Sequence, residues 1–185
     1  MNGPDTRKRA LRYIMGSIRQ TIDSIDCKRA EALVEAILGA DRVFLYGAGR
    51  SGYVAQCFTM RLGHLGVKHV RMSIDDTAPP STKDLTIIMS GTGETHSSLL
   101  YGRMSKDGGA RVAVITENPA SALAQLADII IHLDAPRGED RSKLAPMGTI
   151  FEDTALIFLD TLVVDMMQRR GETEESMRKR HGQLY

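Results

Sequence analysis

Val43-Phe44-Leu45-Tyr46-Gly47-Ala48-Gly49-Arg50-Ser51-Gly52 decides the fold. Four consecutive apolar residues run into a turn rich in glycine and hydroxyls, and helical periodicity follows over residues 51–65. Four more short apolar runs continue the pattern. They are Val67 to Met72, Leu85 to Met89, Val112 to Ile115 and Ile129 to Leu133, with helices expected over residues 95–107 and 120–126. Unbroken apolar runs, as opposed to alternating ones, indicate strands buried on both faces, hence a parallel sheet covered by helices. The expectation is a single-domain, three-layer α/β/α fold with a five-stranded parallel sheet.

Upstream, residues 6–38 carry two helical stripes. Leu11, Ile14, Met15, Ile18 and Ile22 form the first, and Ala30, Leu33, Val34, Ile37 and Leu38 the second, with a break at residues 23–26. Asn118-Pro119 reads as a helix start, Asn as N-cap and Pro in the first turn. Residues 134–148 form a polar segment, long for a connection. An amphipathic helix is expected over residues 150–170, and a short charged one over 173–181, stopping at Gly182. The stripe Phe151, Ala155, Phe158, Leu159, Leu162, Val163, Met166 and the N-terminal helices together exceed what one sheet face needs. It points to a helical oligomer interface, or to helices stacked within one subunit.

The chain has 185 residues, 42% hydrophobic and 25% charged, with a formal net charge of +1. That suits a globular domain with its own core and provides no global field for nucleic acid or acidic membranes. Absence of tryptophan argues against a base-stacking platform. Cys27 and Cys57, without a C-x-x-C partner motif, read as reduced packing residues in a cytoplasmic protein. The polar opening lacks a signal-peptide core, and no apolar run approaches the roughly 20 residues of a membrane span.

Two loops have the chemistry of anion cradles, Gly47 to Gly52 and Ser90-Gly91-Thr92-Gly93-Glu94-Thr95. Each follows a strand and opens a helix, where free N–H groups and the helix dipole favour a phosphate. Glycine admits close backbone approach, and Ser51, Ser90, Thr92 and Thr95 add hydroxyl donors. Each motif alone is also compatible with a tight turn or an ordinary N-cap. A dinucleotide loop lacks its third glycine and the acidic residue after the second strand, and no Gly-Lys-Ser/Thr is present for a P-loop.

These two motifs resemble those of the sugar isomerase (SIS) domain. Residues 52–66, Leu144-Ala145-Pro146-Met147-Gly148-Thr149, residues 151–160 and the ending Lys179-Arg180-His181 resemble its 6-phospho-3-hexuloisomerase branch. The resemblance covers nearly the whole chain. It implies a metal-independent isomerisation of arabino-3-hexulose 6-phosphate to fructose 6-phosphate through an enediol, in formaldehyde fixation or its reverse, by a homotetramer without cofactor. One segment departs. The branch's Gly-Glu-Thr-x-Thr-Pro is replaced by Ser73-Ile74-Asp75-Asp76-Thr77-Ala78-Pro79-Pro80, which keeps arabinose 5-phosphate or sedoheptulose 7-phosphate as alternative substrates and a non-catalytic sugar-phosphate sensor as a third reading.

An enediol route needs a general base and a donor to the developing oxyanion. The resemblance makes Glu152 the base, whereas Thr149-x-x-Glu152 alone is a capping-box pattern. His181 is the second catalytic candidate, or a cation complementing a helix end. If it acts, it reaches a neighbouring subunit's site. Gly49, Arg50, Ser51, Ser90, Gly91, Thr92, Gly93, Glu94, Thr95 and Lys143 are the candidate substrate and phosphate ligands. Arg50 is equally suited to locking Glu152, Glu94 to steadying a helix turn, and Lys143 to solvation. The five histidines lack metal-site spacing. Met89, Met166 and Met167 read as packing residues.

Overall fold

The computed structural model describes residues 4–67, 69–72 and 79–181. Residues 73–78, which carry the departure from the family pattern, and Gly182 lie outside them. Helices α1 (Pro4–Asp23) and α2 (Cys27–Gly39) precede β1 (Val43–Gly47), α3 (Arg50–His64), β2 (Val70–Met72), β3 (Leu85–Met89), α4 (His96–Asp107), β4 (Arg111–Thr116) and β5 (Ile129–His132). Helices α5 (Glu139–Leu144), α6 (Thr149–Arg169) and α7 (Glu174–Arg180) follow. The five strands are parallel in the order β2-β1-β3-β4-β5, as the apolar runs predict.

The continuous apolar runs supply both faces. Leu45, Ile87, Ala113, Ile115, Ile129 and Ile131 join Leu33 and Ile37 of α2, Phe58 and Leu62 of α3, and Phe158 and Leu162 of α6 in one core. Their neighbours along the strands, Ile88, Val112 and Val114, meet Tyr101 of α4 and Leu123 on the other face. The chain moves from β1 outward to β2, and from β3 outward in the opposite direction to β4 and β5. Right-handed crossovers therefore put α3 and α4 on opposite faces and leave a switch point between β1 and β3.

Three expectations are corrected. The helix of residues 120–126 shrinks to a single 3-10 turn at Ala124–Leu126. Asn118 does not cap a helix but closes a local turn, its side chain accepting from the Ala120 N–H at 3.2 Å. The polar segment of residues 134–148 contains α5. Cys27 and Cys57 are both exposed, so neither packs a core. The α6 stripe from Phe151 to Met166 is wholly buried within the chain. The large apolar side chains left in solvent are Leu11 and Met15 of the first N-terminal stripe, Tyr53 and Met60 on α3, Leu100 on α4, Met147 just before α6, and Ile157 and Val164 on α6.

Helix α7 is tied back by Arg180, which reaches Glu172 at 2.8 and 2.9 Å and the His64 carbonyl at 3.0 Å. Hydrogen bonds from Arg180 first, then from the Ser176 hydroxyl, hold the Glu172 carboxyl down at about 2, against 4.5 ordinarily. A depressed carboxylate contributes stability above its unfolded pKa and loses it as pH falls through the folded one. Amide protection in residues 174–181, with exchange rates corrected for their intrinsic pH dependence, should therefore fall as pH drops from 4.5 toward about 2. Glu172→Gln should show fast exchange already at neutral pH, with that acid-dependent step gone. If the step persists in the variant, another group holds α7.

Candidate active site

Gly47 and Met89 are register partners at the carboxyl ends of β1 and β3, so the two sequence-predicted loops start side by side at the switch point. Gly49 caps α3 at φ +57°, a conformation glycine takes without a Cβ penalty. In the second loop the Ser90 hydroxyl accepts from the Gly93 N–H at 3.2 Å and lies 3.3 Å from the Thr95 hydroxyl. The Thr92 hydroxyl accepts from the Glu94 N–H. Thr95 stands at the N-cap of α4 with no side-chain cap bond, leaving first-turn N–H groups for another acceptor.

A cleft of 620 Å³ opens between these loops and the start of α6. Ser51, Ser90, Gly91, Thr92, Thr95 and Glu152 line it, among the residues expected from sequence. The other expected ligands sit elsewhere. Gly49, Arg50, Gly93 and Glu94 shape its margins without lining it, and Glu94 accepts from the Ala122 N–H at 2.9 Å, buttressing the turn after β4. Lys143 pairs with Glu139 along the exposed side of α5.

Glu152 lies in the first turn of α6, its side chain 12% exposed. Gly148, and not Thr149, is the N-cap, and no side chain caps α6, so the capping-box geometry is absent. Thr149 instead donates its hydroxyl to the Pro146 carbonyl at 2.7 Å. A Cβ at Gly148 would press within 3.0 Å of the Glu152 carboxylate, so this glycine leaves room for the acid. Arg50 Nε comes to 3.0 Å of Glu152 Oε2 and Nη2 to 3.5 Å of Asp153. The Nε–H does not point at Oε2, which is buried and without a hydrogen-bond donor. Such an oxygen keeps acceptor capacity for a proton or hydroxyl entering the cleft.

Sequence reading missed Glu117 and Arg141, which line the same cleft. Arg141 Nη2 donates to both Glu117 oxygens at 2.7 and 2.9 Å. Burial raises the Glu117 carboxyl above its ordinary value, outweighing the pull of Arg141 and Arg137, and the nearby Glu152 charge adds to the rise. The one available signal was position: Glu117 follows β4 directly, at the same sheet edge as the two loops.

His181 does not reach Glu152 within the chain. Its ring lies 5.0 Å from that of His64, where α3 ends, in a separate pocket with Arg61, Met167, Met177 and Arg178. Arg50, the partner of Glu152, begins the same helix fourteen residues earlier, about 21 Å away at 1.5 Å per residue. Burial, then the charges of His181 and Arg61, push the His64 imidazole below its ordinary value. Among the described residues no cluster of three or more His, Cys, Asp or Glu is placed to hold a metal ion.

A 3-hexulose-6-phosphate isomerase of Methanocaldococcus jannaschii is 37% identical over 157 residues, 84% of either chain. Another of Bacillus subtilis is 34% identical over 175 residues, 92% of this chain and 95% of that one. A crystal structure of a Methanococcus jannaschii protein, for which a molecular function of 3-hexulose-6-phosphate isomerase was inferred, superposes with a TM-score of 0.83. It is 33% identical, with 95% of this chain and 98% of that chain covered. Residues 36–164, from the end of α2 through both loops and most of α6, match the SIS domain family model. With the paired strand-end loops and the acid that opens α6, that match makes the chain a member of the SIS domain family.

Proposed function

We propose that the chain is a sugar-phosphate isomerase interconverting arabino-3-hexulose 6-phosphate and fructose 6-phosphate. The observation that carries the reading is Glu152 Oε2, a buried carboxylate oxygen without a donor, across one cleft from the hydroxyls of Ser90, Thr92 and Thr95. The relatives named for this reaction at 34–37% identity supply the substrate.

In this reading the phosphoryl group docks at the Ser90–Thr95 loop and the α4 N-terminus. Glu152 takes the proton from C2 of the open-chain 3-ketose and the C3 carbonyl becomes an enediolate oxygen; O3 then gains a proton as O2 gives one up, a net transfer from O2 to O3, and Glu152 returns its proton at C3 as the C2 carbonyl forms. Atoms balance without an external oxidant. The oxyanion requires a donor. We assign it to His181 from a neighbouring subunit, since the chain's own His181 lies at the far end of α3. A homotetramer would bring the two together. The exposed Leu11 and Met15 of α1, Tyr53 and Met60 of α3, and Ile157 and Val164 of α6, the helix on which the other two pack, support such an assembly.

Purified protein should convert the 3-hexulose 6-phosphate to fructose 6-phosphate in a coupled dehydrogenase assay, and sediment as a tetramer at the assay concentration. Arabinose 5-phosphate and sedoheptulose 7-phosphate should be turned over far more slowly. No turnover of the hexulose phosphate by folded protein excludes this function, and an active monomer excludes the trans role of His181.

A further inference from the structure

We propose that Arg141, held in place by Glu117, is the cation that meets the substrate's phosphoryl group. The proposal rests on the functional reading above and adds to it a residue outside both glycine-rich loops.

A phosphate monoester enters near neutrality with close to two negative charges. Among the described residues that line the cleft, two are carboxylates, Glu117 and Glu152, and Arg141 alone carries a positive charge. Hydroxyls and amides of the Ser90–Thr95 loop donate hydrogen bonds but no net charge. Arg50, paired with Glu152 and Asp153, and Lys143, paired with Glu139, do not line the cleft. With Arg141 that lining carries a charge of −1 and without it −2, so Arg141 is the lining group that lessens the repulsion an entering dianion meets.

The position of Arg141 is built. Its side chain is 18% exposed and that of Glu117 is 20%. Glu117 donates its backbone N–H to the Gly91 carbonyl at 3.0 Å, and its Oε2 lies 3.7 Å from where a Cβ on Gly91 would stand. The guanidinium bound to Glu117 is thus fastened beside the loop proposed to take the phosphate. Arg141 Nη1 also donates to the Pro136 carbonyl at 3.4 Å. These contacts leave the Nε–H and one Nη1–H of the five guanidinium donors for an incoming anion. Helix α5 buries no residue of its own; it packs on α1, and this half-buried ion pair ties it to the end of β4. Glu117 is a positioning residue in this scheme, aiming the fork rather than touching the phosphate.

Fructose 6-phosphate and inorganic phosphate, each titrated calorimetrically, test the assignment without requiring turnover. Arg141→Gln should weaken both by a similar factor, roughly 10- to 100-fold, the range of a charge-assisted hydrogen bond. Its KM should rise more than its kcat falls. Arg141→Lys should recover part of the affinity, since it keeps the charge and loses the fork. Lys143→Gln, altered on the same helix outside the cleft, should bind as the parent does. Should Arg141→Gln fold poorly because Glu117 is left buried and unpaired, Glu117→Gln/Arg141→Gln removes that burden and should show the same binding defect. Parent-like affinity in a folded variant overturns the proposal. So does a loss confined to fructose 6-phosphate with inorganic phosphate unaffected, which would put Arg141 on the sugar. A parent protein that binds both probes but isomerises nothing ends the functional reading and leaves Arg141 judged on binding alone. One that binds neither ends both.

Discussion

Glu152→Gln will lower kcat for hexulose phosphate isomerisation about 100- to 10,000-fold, the contribution of a positioned general base, while melting close to the parent temperature. The amide keeps the shape of the side chain and cannot accept the C2 proton. Stability is spared for structural reasons. No helix cap is lost, because the Thr149 N–H is not bonded to Glu152 but to the Pro146 carbonyl at 3.4 Å. The ion partner, Arg50, is 60% exposed and stays solvated when the carboxylate is gone. Substrate affinity should change little, since removing a carboxylate from a cleft that takes a phosphate does not oppose binding. Steady-state kinetics beside a thermal melt read the outcome. A variant with parent-like kcat removes Glu152 from the chemistry. One that loses activity and melting temperature together makes it a structural acid.

The inner strands were legible because burial on both faces leaves unbroken apolar runs, as in Val112 to Ile115, every residue of which is buried. The two loops were legible because glycine and hydroxyls cluster in few other settings. What failed had specific causes. The helix expected after Asn118-Pro119 loses its backbone donors to tertiary partners: the Ala122 N–H goes to Glu94 and the Leu123 N–H to the Gly93 carbonyl. Helix α5 has no apolar stripe because it buries nothing, so periodicity could not reveal it. Glu117 and Arg141 meet across 24 residues through an ion pair, which leaves no local pattern. Lys143 was two residues from the inward position, a distance that turns a helical side chain to the opposite face. The apolar stripe of α6 marks a core face, whereas the apolar surplus in solvent lies at Leu11 and Met15 of the first N-terminal stripe and at Ile157 and Val164, which the α6 stripe did not include.

The glycines of the first loop carry the other large prediction. Gly49 is needed for its backbone angle, and nothing lies within 4 Å of a Cβ built there. Gly47 and Gly52 are needed for a different reason. A Cβ on Gly47 would stand 2.6 Å from the Ser51 carbonyl carbon, and one on Gly52 would stand 2.5 Å from the Gly47 oxygen. In both cases the obstacle is backbone, so relief requires moving the end of β1 away from the first turn of α3. The expected cost is about 3 kcal/mol for Gly47→Ala or Gly52→Ala, the upper range of overpacking. Gly49→Ala should cost only about 1–2 kcal/mol, the penalty of a left-handed residue. Gly63, in α3 with open space around its Cβ site, provides the control: Gly63→Ala should be neutral or stabilising by up to about 1 kcal/mol. Urea unfolding of the four variants orders them. Parent-like stability in Gly47→Ala or Gly52→Ala would mean that strand and helix do not meet this closely. The separation matters for the chemistry because the same turn presents Ser51 to the cleft and sets Arg50 against Glu152. A shift of the α3 start by a few tenths of an ångström would therefore disturb both the proposed phosphate cradle and the setting of the proposed base. The two alanines should lose isomerase activity even at temperatures where they remain folded.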